Sequence, residues 1–177
     1  MTEPQADQPG QRLTGLPPVA DARTRVLILG SFPGAASLAA QQYYGHPRNH
    51  FWPIMAHVLG TAPAPGANYA QRCQWLLDHG VGLWDVYASC QRQGSLDADI
   101  RQATVNDFST LQATCPRLAL VAHNGGESHR HARHTLALGV AVVRLPSTSP
   151  ANASWSLERK KAAWEAALVP VLKPGQV

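Results

Sequence analysis

Four short apolar runs constrain this chain more than any other feature. They are RVLILG (Arg25 to Gly30), GLWDV (Gly82 to Val86), LALVAH (Leu118 to His123) and VAVVRL (Val140 to Leu145). Each is continuous rather than alternating, as expected of strands buried on both faces of a parallel sheet. Helical spacing fills the intervals. Phe51, Met55, Val58 and Leu59 share one helical face, and residues 68–79, 104–114, 126–138 and 157–168 carry similar patterns. Strand and helix alternate with room for crossovers, which predicts an α/β fold: a three-layer α/β/α sandwich around a central four-stranded parallel sheet. Residues 1–20 are rich in Pro, Gln and Gly and lack periodicity, so they are expected to form a mobile arm ending at LPPV. Residues 21–177 are then a single domain.

Composition narrows the class. Hydrophobic residues make up 45% and charged residues 15%, which suits a compact globular protein. Lys and Arg total 15 against 11 Asp and Glu, a net charge of +4 that permits a polyanionic partner without requiring one. Cys73, Cys90 and Cys115 form no CxxC pair, which argues against a disulfide framework and a four-cysteine metal site. No apolar run reaches the roughly 20 residues of a membrane span, and the N-terminus has no apolar signal core. A soluble, cytoplasmic protein without metal or cofactor is expected, acting as a monomer.

Ligands of such sheets bind beyond the carboxyl ends of the strands. The segments there are GSFPGAAS, DVYASC, HNGGES and RLPSTSPANA. GSFPG (Gly30 to Gly34) is either a simple strand-to-helix turn or a loop offering backbone N–H groups to an anion or a ring edge. It matches neither a Walker A loop nor GxGxxG. Asn124 in HNGG either caps the next helix or reads a nucleobase edge with its amide. In RLPSTSPANA, Pro146 and Pro150 bracket Ser147, Thr148 and Ser149, whose hydroxyls can grip phosphate oxygens or cap the last helix. Asp85 either activates water or holds a loop. His129, His131 and His134 lack the HExxH pattern and read as a solvated basic face. No GxSxG elbow supports a catalytic serine. YYGHPRNHFW (Tyr43 to Trp52) concentrates aromatics around Asn49, which is either a helix cap or a working amide.

In their order, LILGSFPGAASLAAQQYYGHPRNHFW, GLWDVYASCQRQGSLDADI, NDFSTL, HNG and LPSTSPANA resemble the uracil-DNA glycosylase superfamily, most closely its hypoxanthine-DNA glycosylase branch. The likeness spans Arg25 to Trp164. It implies metal-free hydrolysis of the N-glycosidic bond of a flipped-out deaminated base, hypoxanthine and also uracil, in damaged DNA, double- or single-stranded. It also implies roles. Other branches carry a water-positioning Asn or Asp where this chain has Phe32, and the hypoxanthine branch uses the Asn of NxFW, here Asn49. An uncharged amide can position water where bond breaking runs ahead of attack. Gly30, Ser31, Phe32, Tyr44 and Asn124 would hold the base, with Phe32, Tyr44 and Trp52 as stacking faces. Arg48, Arg144, Ser147, Thr148 and Ser149 would contact the backbone, and Ala151 and Asn152 would enter the vacated space. No lysine lies near the crevice loops in sequence, which argues for a monofunctional enzyme. A non-catalytic damage-binding module and an α/β enzyme acting on nucleosides or nucleotides are the competing readings.

Overall fold

The computed structural model describes residues 10–176. Two sheets organise them. β1 (Arg12–Thr14), β4 (Tyr87–Gln91) and β5 (Arg101–Val105) form an antiparallel sheet in the order β1-β4-β5. β2 (Val26–Gly30), β3 (Val81–Asp85), β6 (Leu120–Asn124) and β7 (Ala141–Leu145) form the parallel sheet, in the order β3-β2-β6-β7. The expected central sheet is therefore present, with strand ends displaced by one or two residues.

Residue alternation along β2 creates the layers. Val26 and Ile28 enter a core with Phe51, Ile54, Met55, Trp164 and Leu168. Those residues come from α2 (Phe51–Leu59) and α7 (Leu157–Leu172), with Leu76 added by α3 (Tyr69–Asp78). Leu27 and Leu29 point the other way, into a core with Trp84, Val86, Phe108, Leu111 and Val121. Successive residues of a strand face opposite sides, so one buried run supplies both cores. α4 (Leu111–Thr114), α5 (Gly126–His129) and α6 (Ala132–Leu136) complete the elements after α1 (Ala35–Ala40).

Four expectations are corrected. Of the expected arm, residues 1–9 lie outside the described residues, and the chain from Arg12 onward is built into the fold. β1 pairs with β4, and Val19 exchanges two backbone hydrogen bonds of 2.8 Å with Leu83 on the outer edge of β3. This covers an edge that would otherwise expose unpaired backbone groups. Gly82 is required there, because a Cβ would sit 2.8 Å from Val19 O. Residues 104–114 are not one helix. β-branched Thr104 and Val105 close β5, and Asp107 then takes the Ser109 N–H to start a short helical turn. Residues 126–138 divide into α5 and α6, with a break where His131 lies 2.8 Å from Tyr87 Oη. DVYASC, expected as a crevice loop, is mostly β4, because Val86 and Tyr87 donate backbone hydrogen bonds to Gly30 and Ser31 and continue extended.

Candidate active site

The carboxyl ends of the parallel strands open into a cavity of about 1090 Å³. GSFPG, Tyr44, Asn49, Asp85 and Asn124 line it from the sheet side. Arg144, Ser147, Thr148, Ser149, Ala151 and Asn152 line the facing side. The fold thus brings together the expected site residues except Arg48, which lines a neighbouring hollow, and Trp52, which does not reach the cavity.

Asp85, Gly30, Tyr44 and Asn124 meet at one end of this cavity. Asp85, in the last position of β3, is 5% exposed, and its Oδ2 is buried with no hydrogen-bond partner. Burial pushes its carboxyl up to about 7, helped by the charge of Asp97. The cross-strand partner must be Gly30, since a Cβ there would collide with Asp85 Oδ1 and lie 3.5 Å from Tyr44 Oη. Sequence reasoning gave Asp85 little weight; the signal available was a carboxylate closing an otherwise apolar buried strand.

Asn124 ends β6, and its amide is fully oriented. Thr148 N–H donates to Oδ1 at 3.0 Å, while Nδ2 donates to Thr148 Oγ1 at 3.0 Å and to Tyr44 Oη at 3.1 Å. Both amide protons are therefore engaged within the protein. Tyr44 is held in a left-handed backbone conformation (φ 55°), which costs about 1–3 kcal/mol in a non-glycine residue. Offsetting contacts are a stacked ring pair with Phe51 (4.0 Å between centroids) and the Trp52 indole N–H donated to Tyr44 O at 3.3 Å.

Asn49 Oδ1 accepts the N–H of Phe51 at 2.9 Å, fixing the side chain against the first turn of α2. Its Nδ2 has no partner among the described residues and the side chain lines the cavity. The N-cap of α2 is His50, not Asn49; the Asn49 side chain closes a turn onto Phe51 N–H from one position earlier and lines the cavity as well. The next residue, His50, donates its backbone N–H to Thr148 O at 3.0 Å, joining this stretch to the 147–152 loop.

That loop is internally pinned. Ser147 Oγ accepts Ser149 N–H, Ser149 Oγ accepts Ala151 N–H, and Asn152 Nδ2 donates to Ser147 O. The Ser147 and Ser149 hydroxyl protons have no acceptor among the described residues, whereas Thr148, 1% exposed, is turned inward to Asn124. Thr148 holds the site together rather than facing a backbone.

Two of the expected stacking faces are occupied by the protein itself. Phe32 borders the cavity but its ring belongs to the second core, with the Arg92 guanidinium 5.2 Å from its centroid. Trp52 packs edge-on to Phe51 and Tyr69 under Arg72. At the cavity mouth, Ser31 Oγ donates to Asp97 Oδ1 at 2.7 Å and Ala35 N–H donates to Ser95 Oγ at 2.9 Å. Leu96 between them is 53% exposed, one of two large apolar side chains so exposed among the described residues.

The basic tail divides. Arg159 lies over Trp155 and Lys161 pairs with Glu158, but Lys160 is fully buried beside His50. A lysine does therefore approach the crevice loops, which its distance along the chain concealed. The histidines are dispersed in role: His123, pushed down to about 4 by burial, lies between the Ser128 and Thr135 hydroxyls, while His131 contacts Tyr87.

No described helix is long and apolar enough to cross a membrane. Among known proteins, the chain is similar to a hypoxanthine DNA glycosylase of Methanosarcina barkeri, 39% identical over 150 residues that cover 85% of this chain and 94% of that protein. A hypoxanthine DNA glycosylase of Methanosarcina acetivorans is 38% identical over 86% of this chain and 95% of its own. A solution NMR structure from Methanosarcina acetivorans, of a protein whose name refers to uracil DNA glycosylase, superposes with a TM-score of 0.79 at 36% identity, covering 89% and 96% of the two chains. The uracil DNA glycosylase superfamily profile matches residues 17–169, and with the parallel sheet and its cavity placed as described, the chain belongs to that superfamily.

Proposed function

We propose that this DNA glycosylase hydrolyses the N-glycosidic bond of deoxyinosine in DNA, releasing hypoxanthine, and that uracil is a second substrate. The observation that carries the reading is the buried Asp85 carboxyl beside the Tyr44 hydroxyl at one end of the cavity. Below about pH 7 that carboxyl is protonated and offers an O–H donor next to a C=O acceptor. Hypoxanthine presents the complementary pair, a carbonyl oxygen beside a ring N–H, and uracil presents the same edge. A neutral acid recognises that edge without leaving a buried charge unpaired.

The same hydrogen bond supports departure. The glycosidic electron pair leaves with the base, and negative charge grows on the atoms that Asp85 and Tyr44 would contact. The sugar becomes electron-poor at C1′, where water adds and then loses a proton. Asn49, anchored through Phe51 N–H, would place that water through its amide. Asn124 would act through Tyr44, orienting the phenol rather than touching the base. Base flipping costs a few kcal/mol, least at a mispair. Leu96 is the apolar side chain at the mouth that could enter the resulting gap.

The test uses duplex oligonucleotides carrying deoxyinosine or deoxyuridine, scored for abasic sites with wild type and Asn49→Ala. Abasic sites at deoxyinosine with wild type, and a large loss in Asn49→Ala, are expected. Tight lesion binding without abasic sites for either base would instead favour a non-catalytic module, the reading that Phe32 at the water-positioning place motivates.

A further inference from the structure

A second hollow lies on the other side of Asn49, sharing Asn49, Pro150, Asn152 and Trp155 with the base cavity. Arg48 and His50 border it from one side, and Ser156, Leu157 and Lys160 of the start of α7 from the other. No acidic residue lines it. Lys160 is fully buried, its Nζ is 3.2 Å from His50 Nδ1, and no carboxylate pairs with it among the described residues. An ammonium can only donate, so Nδ1 accepts and the imidazole carries its proton on Nε2. Among the described residues this leaves two ammonium protons and the imidazole Nε2–H without acceptors.

A buried cation without a counter-charge is unfavourable, and burial does push the Lys160 ammonium below its ordinary range. His50 is pushed down as well, by burial and then by the Lys160 charge, so it supplies no compensation. The first turn of α7 adds free backbone N–H groups behind the Ser156 cap, whose side chain accepts Arg159 N–H. Arg48 is exposed, with no side-chain partner among the described residues. Beside the apolar Pro53, Pro150, Ala153 and Leu157, the charged groups facing this hollow are all positive, and a tetrahedral oxyanion is the chemistry that satisfies them.

We propose that Arg48 and His50, with the N-terminus of α7 and the positive charge of the buried Lys160 behind them, clamp one backbone phosphate of the DNA strand beside the flipped nucleotide. The placement rests on the DNA glycosylase reading, because an anion in this hollow lies next to a nucleotide whose base fills the cavity. The clamp also joins the two elements that flank Asn49, so strand binding tightens the segment that would hold the attacking water.

The experiment scans neutral methylphosphonate linkages through a deoxyinosine duplex, with binding measured for wild type, Lys160→Met and Arg48→Gln. One linkage next to the lesion is expected to weaken wild-type binding by about tenfold. The same linkage should cost Lys160→Met little more, and the slope of log K against log salt should fall by about 1 in that variant. Lys160→Met should weaken lesion and undamaged duplexes alike, since a phosphate contact reads no base. Arg48→Gln, an exposed change that leaves the core intact, should show the same linkage-specific loss if Lys160→Met does not fold. Identical linkage profiles and salt slopes for wild type and whichever variants fold would overturn the clamp while leaving base release by wild type intact. Failure of wild type to bind any duplex would overturn the glycosylase reading instead. Equal protection by free inorganic phosphate, with no linkage effect, would identify an anion site unrelated to DNA and also overturn the proposal.

Discussion

Asn124 and Thr148 are joined twice: the Thr148 backbone N–H donates to Asn124 Oδ1, and Asn124 Nδ2 donates to Thr148 Oγ1, both at 3.0 Å. A backbone N–H cannot reverse its role, so this pair fixes which end of the amide is oxygen. The second amide proton must then go to Tyr44 Oη, leaving the phenol proton free for the cavity. Asn124→Ala should lower stability by about 1–3 kcal/mol, because it strands the buried Thr148 N–H. In Asn124→Asp all three partners can donate to the carboxylate, so the fold should hold while the phenol proton turns away from the cavity. Thermal melts together with turnover on deoxyinosine DNA check this. A wild-type kcat in Asn124→Asp would remove the phenol from the mechanism.

Asp85 is expected to make the site acid-dependent. Its carboxyl is held up at about 7 against an ordinary 3.8, so between those values the native state binds the proton that the unfolded chain releases. Its contribution to stability is therefore greatest at low pH, declines as pH rises from about 4 to about 7, and is level above that. Asp85→Asn should abolish this slope, seen in melting temperature against pH. Base release should fall above pH 7 in wild type and stay flat in Asp85→Asn, which keeps a donor beside an acceptor. Asp85→Leu, which keeps neither, should release no base.

The parallel sheet was legible because four short apolar runs are continuous; three are buried along their whole length in the fold, whereas β7, at the sheet edge, is fully buried only at Leu145. The cavity followed from topology, since every parallel strand delivers its carboxyl end to the same side. Less legible were features set by contacts distant in the chain. Val19 pairs with Leu83, and His50 meets Lys160 across 110 positions. Asn124 and Asp85 both look like polar residues closing a strand. Only the fold shows that one amide is engaged on all sides while the carboxyl is buried without a partner for Oδ2. Phe32 read as a stacking face because sequence carries no record of which side of the loop its ring takes.

Gly30 tests whether the Asp85 carboxyl must occupy its observed place. Gly30→Ala puts a Cβ into Asp85 Oδ1 and should cost about 1–3 kcal/mol of stability through overpacking, with base release lost. Adding Asp85→Ala opens that space, so the double variant should recover much of its melting temperature without recovering activity. Strict additivity of the two stability changes would show that the side chains do not meet.

Leu96 should matter only where there is a stack to enter. Its side chain is 53% exposed on a segment held by the bonds of Ser95 and Asp97 to Ala35 and Ser31. Leu96→Ala should slow base release from duplex DNA by about tenfold, and leave single-stranded DNA nearly unaffected. The ratio of the two rates is the measurement. An equal loss on both substrates would assign Leu96 to folding or to the cavity wall.

Asn49 combines an acceptor that caps Phe51 N–H from one position before the helix N-cap with a free amide N–H₂ group, and substitutions can separate them. Asn49→Ala removes the acceptor for Phe51 N–H and should cost about 1 kcal/mol, with a far larger loss of base release. Asn49→Asp keeps the acceptor at the start of α2, where negative charge is favoured, so stability should be held. A carboxylate can also accept a proton from water, so Asn49→Asp should retain or raise turnover above the wild-type level near neutral pH. Asn49→Ser, short but still able to cap, should match wild type in melting temperature and Asn49→Ala in activity. If Asn49→Ser also matches wild type in turnover, the cap alone accounts for this residue, and water must be positioned by another group.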